Sequence, residues 1–389
     1  MLDFIYNTPT KVFFGKDKEK DIGQIISSYG IKKIMMQYGK SSIKKTGLYD
    51  RVMTSLRDKN IEVVEMGGVE PNPKLSFVQQ AIKLAKEEKV ELILAVGGGS
   101  AIDSSKFTAL GALTGSDVWD MAMGKVIPQR ALPVGVILTH SAAGSEMSSS
   151  AVITKLDEGI KKGLGTELNR PLFAILNPEL TYTVSKYQTA CGIVDIMAHT
   201  MERYFTPVPE TELTDSIAES LLKTVIESGK IVMQNPCDYN ARANIMWASS
   251  LSHNGLTGAG RQNYLAVHQL EHALSGKFDS VAHGAGLAVL FPAWAKYVYK
   301  YDLKRFSRFA RNVWGVVEEN DQKASELGIK KMQEFFIELG LEKSLSEFGV
   351  KARDTEYLSK LTTFDNTKTV NSTITLTSKE IKEIFDSCL

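Results

Sequence analysis

ELILAVGGGSAIDSSKFTALGAL, residues 91–113, carries the pattern that decides the fold. ELILAV is a short apolar run of strand length. Gly97-Gly98-Gly99 and Ser100 follow it, and AIDSSKFTALGAL continues with helical character. A strand apolar on both faces belongs to a parallel sheet with helices packed on each side. Glycines at a strand-to-helix turn let backbone N–H groups approach an anion that the helix N-terminus also attracts, where a Cβ would block the approach. The same glycines equally suit a tight turn without a ligand. The run is neither a GxGxxG fingerprint nor a Walker loop, so its pattern points only to a phosphate. Asp103, one turn into the helix, suits a hydrogen bond to a neutral part of a ligand, or a helix-start carboxylate.

Outward from this stretch the texture repeats. IKKIMMQYG (31–39), IEVVEMGGV (61–69), PVGVILTH (133–140) and FAILNP (173–178) are further strands closed by Gly, Pro, Asn or a polar residue. GLYDRVMTSLRDKN (47–60) and KLSFVQQAIKLAKEEK (74–89) are helices between them, the second with an apolar face from Val78, Ile82 and Ala85. Strand–helix alternation of this kind predicts a parallel sheet. YNTPTKVFFGKD near the start reads as an extra strand or hairpin at an edge. Beyond Pro178 long helical patterns dominate, among them VSKYQTACGIVDIMAHTMERYF and VAHGAGLAVLFPAWAKYVYK. Thr377 and Glu380 form a capping box for a last helix over 378–386. The expected architecture is an α/β Rossmann-like domain with a parallel sheet over 1–183, then an all-α domain over 184–389, without a flexible linker.

Composition narrows the function. In 389 residues, 46 Lys+Arg face 45 Asp+Glu, a net charge of +1 that argues against a phosphate-neutralising surface and hence against nucleic acid. Three unevenly spaced cysteines, Cys191, Cys237 and Cys388, without a CxxC, fit a reducing compartment. The N-terminus has no signal-peptide pattern and no apolar run is long enough to span a bilayer. The expectation is a cytoplasmic enzyme.

Six histidines are few enough to take one by one. Asp195 and His199, in DIMAH, are four apart and share a helix face. His268 and His272, in HQLEH, repeat that spacing, and His283 follows in DSVAHGAG, while His253 and His140 read as structural or pocket-lining. One carboxylate with two or three imidazoles suits a divalent metal such as Fe(II), Zn(II) or Co(II). HQLEH also matches H-x-x-E-H, the inverted zinc-peptidase motif, and so admits a metallohydrolase. A second ligand turn is Tyr38-Gly39-Lys40-Ser41-Ser42. An enzyme choosing NAD places a carboxylate near the adenosine ribose. Here Lys40 and two hydroxyls stand instead, suited to a 2′-phosphate or to a solvated turn with a helix cap.

Taken together these residues resemble the iron-containing (group III) alcohol dehydrogenase family, in its butanol dehydrogenase and broad aldehyde reductase branch. The resemblance runs nearly end to end: TPTKVFFGK, EPNP (70–73), AVGGGSAID (95–103), AAGSE (142–146), the D-x-x-x-H, H-x-x-x-H and H-G series, and YDLKRFSRFARNVWG. It implies the two-domain dehydroquinate synthase-like architecture and hydride transfer between NADP(H), ahead of NAD(H), and a short-chain primary alcohol or aldehyde such as butanol or butyraldehyde. It implies a metal, Fe(II) or Zn(II), on Asp195, His199, His268 and His283, with His272 as proton relay or as a group that orients the metal site. Gly97, Gly98, Gly99 and Ser100 match the pyrophosphate loop. Asn72, Thr139 and Lys161 fall where the family contacts its cofactor, with Asp103 and the 39–42 turn (Gly39, Lys40, Ser41, Ser42) beside them. His140 stands where relatives carry Leu or Thr, facing the cofactor. Family members are often homodimers. A catalytically silent dinucleotide-binding regulator is the remaining alternative.

Overall fold

A computed structural model describes all of residues 1–389, and in it the 91–113 stretch is a strand, Leu92–Gly97, leading into a helix, Gly99–Leu113. The chain divides into two compact units, Asn7–Val184 and, together, Met1–Tyr6 and Ser185–Leu389. The first six residues, expected with the N-terminal domain, thus join the helical unit: the Leu2 N–H donates to the Gly260 carbonyl at 3.0 Å.

The α/β unit contains strands β1 Lys11–Phe14, β2 Lys33–Tyr38, β3 Glu62–Gly67, β4 Leu92–Gly97, β5 Val134–Leu138, β6 Ser150–Lys155, β7 Ile160–Gly165 and β8 Phe173–Leu176. Its helices are α1 Ile22–Ser28, α2 Ser42–Lys45, α3 Leu48–Arg57, α4 Leu75–Glu87, α5 Gly99–Leu113 and α6 Val118–Ala122. Six strands pair in parallel in the order β1-β8-β5-β4-β2-β3. β4, β5 and β8 are buried along their whole length, as strands covered on both faces must be. One face packs Ile34, Met36, Leu94 and Ile175 against Ile22, Ile26, Val52 and Leu56 of α1 and α3. On the other side α5 is buried from Ala101 to Gly111, so it lacks the polar stripe of a surface helix. Gly111 makes this packing possible, since a Cβ there would lie 2.2 Å from Ile82 Cδ1 on α4.

The strand order places a reversal between β2, the first strand of the wound set, and β4, the third. In open α/β sheets, ligands bind outside the carboxyl ends of strands at such a switch point. The 39–42 turn follows β2 and the 97–100 turn follows β4, so topology brings both glycine-bearing turns to one crevice. The opening stretch supplies one strand, β1, at the sheet edge beside β8. The antiparallel hairpin β6–β7 was not expected from sequence. β7, Ile-Lys-Lys-Gly-Leu-Gly, has two lysines and two glycines and so a weak strand signal.

The helical unit contains α7 Lys186–Tyr204, α8 Glu212–Gln234, α9 Tyr239–His253, α10 Ala266–Lys277, α11 His283–Val298, α12 Leu303–Trp314, α13 Asp321–Glu338, α14 Ala352–Thr362 and α15 Ser378–Asp386. α7 is its axis, with every residue from Thr189 to Tyr204 buried. Ser185 caps it by accepting from the Gln188 N–H at 3.2 Å, and Thr377 with Glu380 forms the capping box of α15. Phe205 at the foot of α7 stacks on Phe306 of α12 at 4.2 Å and meets Trp294 of α11 at 5.7 Å, which holds the axis against two neighbours. No helix is long and apolar enough to cross a membrane.

Candidate functional site

Asp195 and His199 lie one turn apart on the buried face of α7, 4% and 3% exposed. His268, on the first turn of α10, meets them: its ring lies 4.3 Å from that of His199, and its Nε2 is 3.7 Å from Asp195 Oδ1. His283, the first residue of α11, brings its own Nε2 to 3.7 Å from the same oxygen. The structure thus gathers all four residues around Asp195 Oδ1.

Two backbone features permit this convergence. Leu265, at the entry to α10, adopts the left-handed conformation (φ 49°, ψ 48°), an unusual place for a bulky side chain and one that turns the chain sharply into the helix. Gly284, directly after His283, packs against α7 so closely that a Cβ would lie 2.1 Å from the Cys191 carbonyl oxygen. The glycine of the H-G pair is therefore a packing requirement for the histidine before it.

The electrostatics call for a cation. Asp195 Oδ1, His199 Nδ1 and His268 Nε2 are buried atoms without a hydrogen-bond partner, although His199 Nδ1 and Asp195 Oδ1 are only 3.1 Å apart. Unpaired buried polar atoms cost on the order of 1–3 kcal/mol each, so three that face one point fit a ligand bound there. One ligand atom from each of Asp195, His199 and His268 lies within 4.8 Å of the others. Burial opposes ionisation of Asp195, but His199 and His283 beside it outweigh that and hold its carboxyl well below the usual range. Burial pushes His199 down to about 4. His268 goes the other way, up to about 9: burial disfavours its charge, but Asp195 and Glu202 outweigh burial. A divalent metal takes carboxylate and neutral imidazole; Asp195 and His199 already hold those forms and His268 would release a proton on binding, so the donor set fits one.

His272 is half-buried, its ring 5.7 Å from that of His283, and it forms with Glu271 and His283 a second trio whose ligand atoms lie within 4.8 Å of one another. His253, at the end of α9, packs its ring against that of His199, centroids 4.1 Å apart and tilted by 40°. No helical spacing links His253 to the proposed ligand series, and from sequence it reads only as structural or pocket-lining. Two carboxylates also went unassigned. Glu202 Oε1 accepts from the His268 backbone N–H at 2.9 Å and faces its Nδ1 at 3.1 Å. Glu271, 0% exposed, faces His283 Nδ1. A water-activating glutamate must face the substrate side, and Glu271 instead faces the back of a ring, which removes the geometric basis of the peptidase reading of HQLEH.

In the α/β unit the glycine turn is closely packed by its neighbours. The Thr139 N–H donates to the Gly97 carbonyl at 3.0 Å, joining the β5 turn to the β4 turn. A Cβ on Gly98 would lie 3.1 Å from His140 Cβ, and one on Gly99 3.3 Å from Ala143 Cβ. Gly98, Gly99 and Ser100 are half-buried at the N-terminus of α5, with His140 against them. Asn72 adopts a left-handed conformation (φ 51°), and its Oδ1 accepts from Lys161 Nζ at 3.1 Å, so EPNP and the β6–β7 hairpin come together. Asp103 is engaged within the protein: it accepts from Ser145 Oγ at 2.6 Å and from the Val152 N–H at 2.9 Å. Burial pushes its carboxyl up, against the pull of Lys106.

Lys106 is wholly buried on α5 and went unremarked in the sequence. Its ammonium donates to the Ser145 carbonyl at 2.7 Å, the Ser150 carbonyl at 2.8 Å and Ser145 Oγ at 2.9 Å. Burial pushes it down to about 8 while Asp103 and Glu146 oppose that. Asp103 and Lys106 together pin the 141–150 segment over α5. In the 39–42 turn, Lys40, Ser41 and Ser42 are exposed, and Lys40 Nζ pairs with Glu70 Oε1 at 3.0 Å.

A dinucleotide-type switch point in one unit and a carboxylate–imidazole cluster in the other fit one class, the nicotinamide-dependent oxidoreductases. Comparison with known proteins makes this specific. The model of the iron-containing alcohol dehydrogenases matches residues 9–178, and that of the Fe-containing alcohol dehydrogenase family C-terminal domain matches 189–389. The chain belongs to the iron-containing alcohol dehydrogenase family and is an oxidoreductase of the alcohol dehydrogenase and aldehyde reductase type. It is 42% identical to NADH-dependent butanol dehydrogenase A of Clostridium acetobutylicum, over 99% of each chain. It is 37% identical to the NADPH-dependent aldehyde reductase YqhD of Escherichia coli, over 90% of each. The crystal structure of NADH-dependent butanol dehydrogenase A from Thermotoga maritima superposes with a TM-score of 0.96 at 37% identity, covering 100% of this chain and 99% of that one. Membership implies a nicotinamide dinucleotide and a metal, in keeping with both clusters.

Proposed function

We propose that the enzyme interconverts short-chain primary alcohols and aldehydes, of the size of butanol and butyraldehyde, using NADP(H) ahead of NAD(H) and a divalent metal, Fe(II) or Zn(II). The observation that carries the reading is the convergence of the partnerless buried atoms of Asp195, His199 and His268, with His283 Nε2 at 3.7 Å from Asp195 Oδ1. When bound, the metal polarises the carbonyl oxygen and the nicotinamide gives or takes the hydride.

The protein's own residues do the remaining work. Asp195, His199, His268 and His283 hold the metal. The N–H groups of the Gly97–Ser100 turn and the N-terminus of α5 hold the pyrophosphate, where no side chain blocks approach. Thr139, His140, Asn72, Lys161 and, through the segment it anchors, Asp103 shape the rest of the dinucleotide site. Half-buried His272 carries the proton between the reacting oxygen and water. Lys40 with the Ser41 and Ser42 hydroxyls receives the 2′-phosphate, in competition with Glu70, which already pairs with Lys40. That competition makes the NADP(H) preference modest. The free thiols suit a cytoplasmic location, and the edge strand β1 suits pairing in a homodimer.

Two measurements test the reading. His268→Ala is expected to lose metal and butyraldehyde reduction together, whereas a metal-free variant with full activity would overturn the ligand assignment. Initial rates with NADPH are expected to exceed those with NADH; a clear NADH preference would overturn the role given to the 39–42 turn.

A further inference from the structure

The helices that carry the metal ligands also carry two carboxylates that touch no proposed ligand-binding point. Glu202 lies three residues after His199 and seven after Asp195, on the same face of α7. It reaches across to α10, where Oε1 accepts from the His268 N–H at 2.9 Å and faces His268 Nδ1 at 3.1 Å. Glu271 lies three residues after His268, on the same face of α10. It reaches across to α11, where Oε2 faces Nδ1 of His283. Space is kept for it, because a Cβ on Gly286 would lie 3.1 Å from Glu271 Cγ. The two glutamates are 5% and 0% exposed, so neither is a solvent-side charge that has folded inward by chance.

The pattern is a relay of orientation. α7 gives Asp195 and His199 and fixes the ring presented by α10; α10 gives His268 and fixes the ring presented by α11. An Nδ1–H that donates to a carboxylate sets the tautomer, so that Nε2 keeps its lone pair and points away from the glutamate. In both rings Nε2 does face the common point, at the same 3.7 Å from Asp195 Oδ1.

We infer that Glu202 and Glu271 are positioning residues of the metal centre, each fixing the tautomer and direction of one histidine ligand on the neighbouring helix. The inference rests on the assignment of His268 and His283 as ligands under the proposed function. Removing either acceptor is expected to weaken metal binding about 10- to 100-fold.

The test uses the full-length protein with Co(II) or Zn(II), titrated against a competing chelator, with the Co(II) absorption spectrum as a second readout. Glu271→Ala and Glu202→Ala are expected to lose 10- to 100-fold in affinity and to shift the Co(II) bands. Glu271→Gln and Glu202→Gln, which keep an acceptor of similar shape, should fall between these and wild type. Loss of Glu202 should also lower the melting temperature of the metal-free protein, since it holds a backbone N–H of α10. His283→Ala is the control. If it loses the metal while the glutamate variants keep wild-type affinity and spectrum, the positioning role is wrong and the ligand set stands. If His283→Ala itself binds as wild type does, the ligand set fails first, and the positioning role with it.

Discussion

Gly284→Ala is a one-methyl test of how the centre is assembled. The new Cβ would lie 2.1 Å from the Cys191 carbonyl oxygen, 2.6 Å from its carbon and 2.7 Å from Cys191 Cα. All three are backbone atoms of a buried helix, so no side chain can swing aside. Relief requires α11 to retreat from α7 by on the order of 1 Å to reach ordinary van der Waals distance. Cys191 is one turn before Asp195, and His283 is the residue before the mutated glycine. The retreat therefore opens the Asp195–His283 approach, now 3.7 Å between Oδ1 and Nε2, directly. Metal sites tolerate changes of about 0.2 Å in ligand distance, so His283 is expected to drop out of coordination. Overpacking of this kind costs typically about 1–3 kcal/mol, and backbone on both sides puts it near 3. At roughly 2–4 °C per kcal/mol for a unit of this size, the metal-free protein should melt about 6–12 °C lower. Calorimetry of metal-free protein and metal analysis after equilibration at limiting metal read the two effects separately. A variant that melts within 1 °C of wild type and binds metal equally well would refute the claim that this glycine sets the distance between the two ligand helices.

Two further changes probe the α/β unit. Lys106→Met removes a buried ammonium that donates to Ser145 and Ser150 and opposes Asp103. Leaving those buried carbonyls without their donor costs about 1–3 kcal/mol each, and urea unfolding should show it, together with a raised KM for the dinucleotide as the 141–150 segment loosens. Glu70→Gln frees Lys40 from an exposed pair at 3.0 Å. Exposed pairs are worth roughly 0.2–1 kcal/mol, so the ratio of kcat/KM for NADPH to that for NADH should rise up to about fivefold, and less at high salt. An unchanged ratio would place the 2′-phosphate away from Lys40.

What was legible in the sequence follows from which interactions stay inside one element. The strands of the sheet announce themselves by apolar runs, and the glycine turn announces itself because strand, turn and helix are contiguous in 91–113. Asp195 and His199 are readable as a pair because a helix puts residues four apart on one face. The β6–β7 hairpin is not readable, because β7 carries two lysines and two glycines and the hairpin is held by Asp103 and the EPNP turn, far away in the chain. The approach of His253 to His199 is not readable either, because it depends on which helices are neighbours. The Lys40–Glu70 pair joins the ends of two strands and falls in the same class. Glu202 and Glu271 stand between the two kinds. Their contacts cross helices, yet each lies three residues after a proposed ligand histidine, in His199-Thr-Met-Glu202 and His268-Gln-Leu-Glu271. Read alone, a glutamate in a helix is a solvated face. Twice at the same phase from a histidine proposed as a metal ligand, it lies on the buried face that the histidine has already defined, and a carboxylate buried there needs a donor on the next helix. HQLEH was open to a hydrolase reading because its glutamate was weighed by motif alone; weighed by phase, the same residue has to face a neighbouring ring.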